Sequence, residues 1–473
     1  MKIAFIHYHL KPGGVTTVIR QQIEAIQDHC EPIVLAGEKP EQFQIPVIHI
    51  PGIAYDRNNT TGSSPEKTAE DIIRAIHNVW PDGCDIVHIH NPILAKNRNF
   101  LNVLKILHRK GFRLLLQIHD FAEDGRPFSY YSENYPEDCH YCVINSRDHG
   151  ILKNAGLSDQ GLHLLPNMVN TIDRNSPECR LQNFVLYPVR AIRRKNIGEA
   201  ILLSLFFKNN ETLAVTLPPN SPMDMASYHG WQEYVALHHL PMMFEASARH
   251  DFSSLVRAAE FIMTTSISEG FGFSFLEPWT ADQILWGRNL PEICMDFQQK
   301  GIRLENLYTR IKIPMGWLSR KALFQAFQST MEQSLKLFGY PVDTFDPVDG
   351  FQEFIQNDNL DFGMLSELFQ KQVISHILAS PENKKNLIAE NPFLSEINVS
   401  DQQSIVAHNK RITLLSYNQS NYQKILLRIY ESVKQLPIVH AIDKEKLLFQ
   451  FLTPARLNLL KWSVYEESRE SSF

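Results

Sequence analysis

Short apolar runs alternate with amphipathic stretches along the first 170 residues of the chain. The runs at 2–7, 32–35, 47–50, 86–90, 114–119, 141–144 and 162–165 have strand length and are mostly apolar, which predicts buried β-strands. Between them, residues 16–27, 67–79 and 100–110 carry a helical period. Strand and helix in alternation imply a parallel sheet covered on both faces. Ligands of such sheets collect at the carboxyl ends of the strands. A second series begins at 184–188 and continues through 214–217, 241–245, 261–265 and 282–285. The turn-forming run 167–177 between the two series reads as a linker. A chain of 473 residues exceeds one hydrophobic core, so two α/β domains are expected.

The segment Ser268-Glu269-Gly270-Phe271-Gly272-Phe273-Ser274-Phe275-Leu276-Glu277 follows the strand at 261–265 and leads into a helix expected from Phe275. Its two glycines stand where a strand turns sharply, in backbone angles that glycine adopts at least cost. Such a junction aims unpaired N–H groups and a positive dipole end at one point, which suits a phosphate. Glu269 and Glu277 bracket the turn. Carboxylates repel phosphate but accept hydrogen bonds from sugar hydroxyls. A phosphate cradle between two hydroxyl acceptors describes a nucleotide-sugar site. Upstream, Arg190 ends a strand and Lys195 begins a helix. Pro12-Gly13-Gly14-Val15-Thr16 is a second glycine turn before a helix, and Gln117-Ile118-His119-Asp120 closes another strand.

The Glu-x7-Glu spacing around Gly-Phe-Gly, with Arg-x4-Lys before it, resembles the retaining glycosyltransferases of the GT-B class, the glycosyltransferase 4-like group. The resemblance implies two Rossmann-like domains whose parallel sheets face a central cleft. Residues 1–170 would form the acceptor side and 171–435 the nucleotide-sugar side, with 436–473 a helical tail that packs back on the first domain. It places Glu269 on the donor sugar and Glu277 on the ribose. The loop Gly270, Phe271, Gly272, Phe273 and Ser274 would offer its amides to the diphosphate, which Arg190 and Lys195 grip. Gly13 and Gly14 would border donor and acceptor, and His119 would lie near the transferred sugar. Glu269, Arg190, Lys195 and His119 form the expected catalytic set. Arg193 and Arg194 read as a solvated loop or as a source of general positive potential.

The implied reaction moves a hexose from a UDP-glucose or GDP-mannose type donor to a hydroxyl acceptor with retained configuration. No cofactor and no metal are implied, since cations and a helix end supply the positive charge. A sugar-nucleotide epimerase, or a non-catalytic nucleotide-sugar-binding protein, is the alternative on the same fold. The sequence also departs from the pattern. Met168 and Asn170 stand where Pro-Asn-Gly-Val-Asp has Gly and Asp, and Pro278 follows Glu277 where Ala is usual. At about 298–360 an insert replaces a short loop, with a helix expected at 319–337. Covering the acceptor, joining copies of the chain, and packing outside the core all stay open for it.

The remaining properties mainly exclude. A net charge of −6 gives no general attraction to nucleic acid. No apolar run is long enough to span a bilayer, so the cytoplasm is expected and stable membrane insertion is not. Six scattered cysteines do not suggest a disulfide framework. Cys139 and Cys142 have zinc-ligand spacing without a second pair, and His88 and His90 read as polar residues at a strand's mouth.

Overall fold

The computed structural model describes residues 1–40, 43–58, 62–173, 179–208, 210–395 and 403–465. Residues 174–177 of the expected linker, and 466–473 of the expected tail, lie outside them. The chain forms two compact units, Met1–Met168 with Tyr417–Leu452, and Val169–Ser416 with Thr453–Phe473.

The first unit holds seven strands: β1 (Lys2–His7), β2 (Glu31–Ala36), β3 (Val47–His49), β4 (Ile86–His90), β5 (Leu114–Gln117), β6 (His140–Val143) and β7 (Leu162–Leu164). They pair in the order β3-β2-β1-β4-β5-β6-β7, each neighbour parallel. Residues of β1 and β4 are almost wholly buried, as a strand covered on both faces requires. β5 ends two residues before its expected limit. There the His119 N–H leaves the ladder and donates to Asn91 Oδ1 at 2.8 Å.

Helix Gln419–Gln435 lies in this unit and not, as the sequence pattern implied, with the second series. Its buried residues Tyr422, Leu426, Ile429, Tyr430 and Val433 form one stripe. They share a core with Ile19, Ile23 and Ile26 of helix Gly14–Ile26. Two polar contacts fix the register: Gln22 Nε2 donates to Tyr422 Oη at 2.8 Å, and Tyr430 Oη lies 2.9 Å from His88 Nδ1. The return to the first unit thus begins at Tyr417 and ends at Leu452; the chain then rejoins the second unit.

The second unit holds β8 (Phe184–Arg190), β9 (Thr212–Leu217), β10 (Met242–Met243), β11 (Ile262–Thr264) and β12 (Leu285–Gly287). They form a parallel sheet in the order β10-β9-β8-β11-β12. The insert packs within this unit. It contributes helix Arg320–Phe338, capped by Ser319 and closed by Gly339 in the left-handed conformation, and helix Pro347–Phe354. Phe327 meets Phe351 and Phe354 between them. β13 (Lys312–Pro314) and β14 (Asn359–Asp361) pair antiparallel and flank these two helices in the chain. Among the described residues no helix is long and apolar enough to cross a membrane.

Leu426→Ala removes a fully buried side chain and is expected to destabilise the first unit by about 2–5 kcal/mol. Leu415→Ala, at a 59 % exposed position, is the control. Urea unfolding should show a lower midpoint for the first variant only.

Candidate active site

In the sheet of the second unit the chain runs from β8 outward to β9 and β10, then returns to β11 on the other side of β8. The loops leaving β8 and β11 therefore part at their carboxyl ends, and such a switch point is where open α/β sheets hold ligands. Both loops are stitched together. Thr265 Oγ1 donates to the carbonyls of Lys195 (3.1 Å) and Asn196 (3.0 Å). Tyr187 Oη donates to Lys195 O, and the Ile267 N–H to Arg194 O at 2.9 Å.

Asn196 adopts a left-handed conformation with φ 54° and caps helix Ile197–Ser204. Its Nδ2 donates to Glu199 Oε2 at 2.9 Å, and its Oδ1 accepts from Gln370 at 2.9 Å. Glu199 is fully buried, and Arg288 holds it in a fork at 2.7 and 2.6 Å. Tyr308 Oη adds a third bond to it at 2.7 Å. Arg288 forks equally onto Asp361 at 2.8 and 2.7 Å. Sequence reasoning missed this network; only the Asn196-x-x-Glu199 cap spacing signalled any of it.

Lys195 Nζ contacts Glu269 Oε1 directly. Arg194 Nη1 donates to Ser268 O at 3.1 Å and lies 3.9 Å from Glu269 Oε2. Burial pushes the Glu269 carboxyl up, but Lys195 and Arg194 outweigh it and hold the group below its usual range. Glu269 is thus an ionised acceptor. Arg193 and Arg194 do not form a solvated loop. Arg193 forks onto buried Glu367 at 2.6 and 2.8 Å, because the turn at Asn196 carries both arginines against packed elements. Arg190, at the end of β8, donates to Pro218 O at 3.0 Å, on the β9 side. The structure so joins Lys195 with Glu269, while Arg190 faces another neighbour.

Gly272 has φ 90°. A Cβ there would lie 3.0 Å from Phe275, 3.1 Å from Ile293 and 3.4 Å from Phe297. The following turn, Phe273–Phe275, leaves its leading N–H groups without intrahelical acceptors. Ser274 Oγ is buried and has no hydrogen-bond partner among the described residues. Phe271 is buried against Phe273 and Phe297, and Gly270 lies just before it in the loop. The expected long helix from Phe275 is corrected to the four residues Glu277–Thr280. Pro278 sits in its first turn, and the chain soon enters β12, three residues later than the pattern suggested. Burial pushes the half-buried Glu277 carboxyl up to about 7, and Lys195 lowers it only in part. The two bracketing carboxylates thus differ in charge near neutral pH.

In the first unit the switch lies between β1 and β4. Gly13 is extended, with φ 168°, a conformation open to any residue. Among the described residues, a Cβ on Gly13 would approach only Lys11 O at 4.0 Å, and one on Gly14 would meet nothing within 4 Å. The chain's own packing therefore requires neither glycine. His119 is buried and shares a 2.9 Å hydrogen bond between its Nε2 and His90 Nδ1. Burial pushes it down to about 4, so the ring is neutral at physiological pH. His88 and His90 are wholly buried and stacked, because β4 is covered on both faces; His90 ends the strand, as expected of a mouth residue, while His88 lies two residues inside it. Cys139 and Cys142 are buried free thiols.

No family model matches the chain. It is 26% identical over 517 residues to mannosylglucosyl-3-phosphoglycerate synthase of Petrotoga mobilis, covering 96% of this chain and 98% of that protein. Among solved structures, HepE of Anabaena in complex with UDP and glucose superposes with a TM-score of 0.53 at 14% identity, covering 91% of this chain and 100% of HepE. A glycosyltransferase of Rickettsia africae gives 0.54 at 11% identity, covering 92% and 98% of the two chains. The architecture is the GT-B fold.

Gly272→Ala is expected to lower stability by about 1–3 kcal/mol, through left-handed backbone and crowding together. Gly14→Ala should stay within about 0.5 kcal/mol of the parent. Thermal melting of the two variants checks the contrast.

Proposed function

We propose that this chain, a glycosyltransferase of GT-B fold, moves a hexosyl group from a nucleoside diphosphate sugar to a hydroxyl acceptor with retained configuration. The observation that carries this reading is the Lys195–Glu269 contact at the β8–β11 switch, with Glu277 one short turn away. In this reading Lys195 and the amides of Gly272 to Ser274 neutralise the diphosphate, where charge grows as the bond to the anomeric carbon breaks. Ionised Glu269 accepts hydroxyls of the hexose and keeps Lys195 in place. Glu277 accepts the ribose hydroxyls. Arg190 leaves Pro218 O to join the diphosphate.

The acceptor hydroxyl attacks from the face of the leaving group, and an oxygen of the departing diphosphate takes its proton. Gly13 and Gly14, where an added side chain would meet almost nothing among the described residues, leave room for a ligand at the first unit's own switch. Neutral His119 donates or accepts a hydrogen bond at the sugar without adding charge. No metal is needed, because side chains and amides already supply the positive field. The name of the Petrotoga relative favours a mannosyl donor of the GDP-mannose type and an anionic glucosyl-3-phosphoglycerate acceptor.

Glu277→Gln separates stability from binding. The folded carboxyl titrates near 7 against an ordinary value of 4.5. The folded state therefore holds the proton longer, and stability falls as pH rises from 4.5 through 7. The Gln variant should gain about 2–3 kcal/mol over the parent at about pH 8 and lose that advantage near the ordinary carboxylate pKa. At about pH 8, where the Glu277 carboxyl is ionised, the same variant should bind free GDP about tenfold more weakly, since a charged acceptor bonds a hydroxyl more strongly than an amide does. Urea melts and GDP titrations read both effects. Unchanged GDP affinity would remove Glu277 from the donor site.

Lys195→Ala should depress kcat by about 10²-fold or more while sparing acceptor KM, with transfer in the parent persisting in excess chelator. Steady-state kinetics with GDP-mannose check both. Loss of all transfer in chelator would require a metal and overturn the metal-free mechanism.

A further inference from the structure

The carboxyl edge of the first sheet carries a cluster of cations that the donor chemistry does not use. Loops leaving β1, β3, β4 and β5 meet there and are sewn together. Tyr8 Oη donates to Leu94 O at 2.8 Å, and the Asp56 N–H to Lys96 O at 2.9 Å. Asn97 Nδ2 reaches the carbonyls of Gly52 and Ala54 at 2.8 and 2.7 Å. The His119 N–H is tied to Asn91. This stitching gathers Lys11, Arg57, Lys96 and Arg126 around one edge.

Two of the four cations are neutralised locally. Lys11 pairs with Glu38 at 2.5 Å and Arg126 with Asp120 at 2.8 Å. Lys96 is half-buried, and among the described residues no carboxylate lies within 4 Å of it. Arg57 has no such partner either; its guanidinium lies 5.6 Å from the centre of the Tyr55 ring. Burial, followed by the charges of Arg126 and Arg57, pulls the Lys96 ammonium below its ordinary pKa, and the Asp120 carboxylate offsets this only in part. A half-buried ammonium crowded by like charge is unfavourable in the empty protein and becomes favourable when an anion enters.

We propose that Lys96, with Arg57 and Arg126, forms a subsite for an anionic group, phosphate or carboxylate, of the acceptor. It rests on the glycosyltransferase reading only in calling the ligand an acceptor; the anion site itself follows from the unpaired cations at the sheet's edge. Asp120 orients Arg126, and the cluster remains net positive. The acceptor's sugar would then point from this edge toward the β1–β4 switch, beside His119 and the open turn at Gly13.

The test is calorimetric titration of the full chain without donor, using 3-phosphoglycerate, glycerol 3-phosphate, D-glycerate and uncharged glycerol as probes. The parent should bind the anions and not glycerol; comparing the two probes that carry one anionic group each assigns phosphate or carboxylate to the subsite. Lys96→Gln should weaken anion binding by about tenfold to a hundredfold, as loss of a charged hydrogen bond does. Arg57→Gln, at an exposed position, should weaken it in the same direction and guards against misfolding of the first variant. GDP affinity should be unchanged in both. Anion affinity equal to the parent in both variants, or no anion binding by the parent, would overturn the subsite. Failure of GDP to bind a chain whose anion affinity still depends on Lys96 would overturn the donor reading and leave the subsite standing.

Discussion

The contact between Lys195 and Glu269 joins the two loops that part at the β8–β11 switch. Everything argued for the site depends on it. A cation alone in that half-buried position would be costly, and so would a buried carboxylate. Paired, each offsets the other's cost of burial. The pair also sets the contrast between the two carboxylates. Lys195 and Arg194 keep Glu269 charged, while Glu277, farther from compensation, rises toward neutrality by burial.

The support behind this pair comes from a distant part of the chain. Asn196 holds the left-handed turn that presents Lys195, Glu199 holds Asn196, and Arg288 clamps Glu199 to Asp361. Asp361 lies on β14, at the far end of the insert. A buried guanidinium between two carboxylates is tolerable only when nearly all its donors are met, and here both forks are complete. The insert is therefore tied by hydrogen bonds to the turn that carries Lys195.

Much of the fold was legible because parallel strands buried on both faces read as continuous apolar runs. The strand Ile86–His90 lies within the limits its pattern implied, and Lys2–His7 does too. The glycine turn at Gly272 was legible because its backbone angle admits little else. What was hidden is tertiary. Helix Gln419–Gln435 shows an apolar stripe in its sequence, but not which sheet that stripe covers. The short helix at Glu277 was obscured by apolar residues that serve the turn and β12 instead. The Arg288 network was invisible because its members are far apart in sequence and joined only by folding. At Gly13 and Gly14 the sequence showed a tight turn, yet the structure shows space that none of the described residues fills.

The central claim is that transfer occurs in this crevice with retained configuration. The most direct measurement is proton and carbon NMR of the product formed from GDP-mannose labelled at the anomeric carbon, with glucosyl-3-phosphoglycerate as acceptor. The account predicts a new α-mannosidic linkage from the α-linked donor, formed by the parent and suppressed by Lys195→Ala. A β-linked product, or undiminished transfer by that variant, would contradict it.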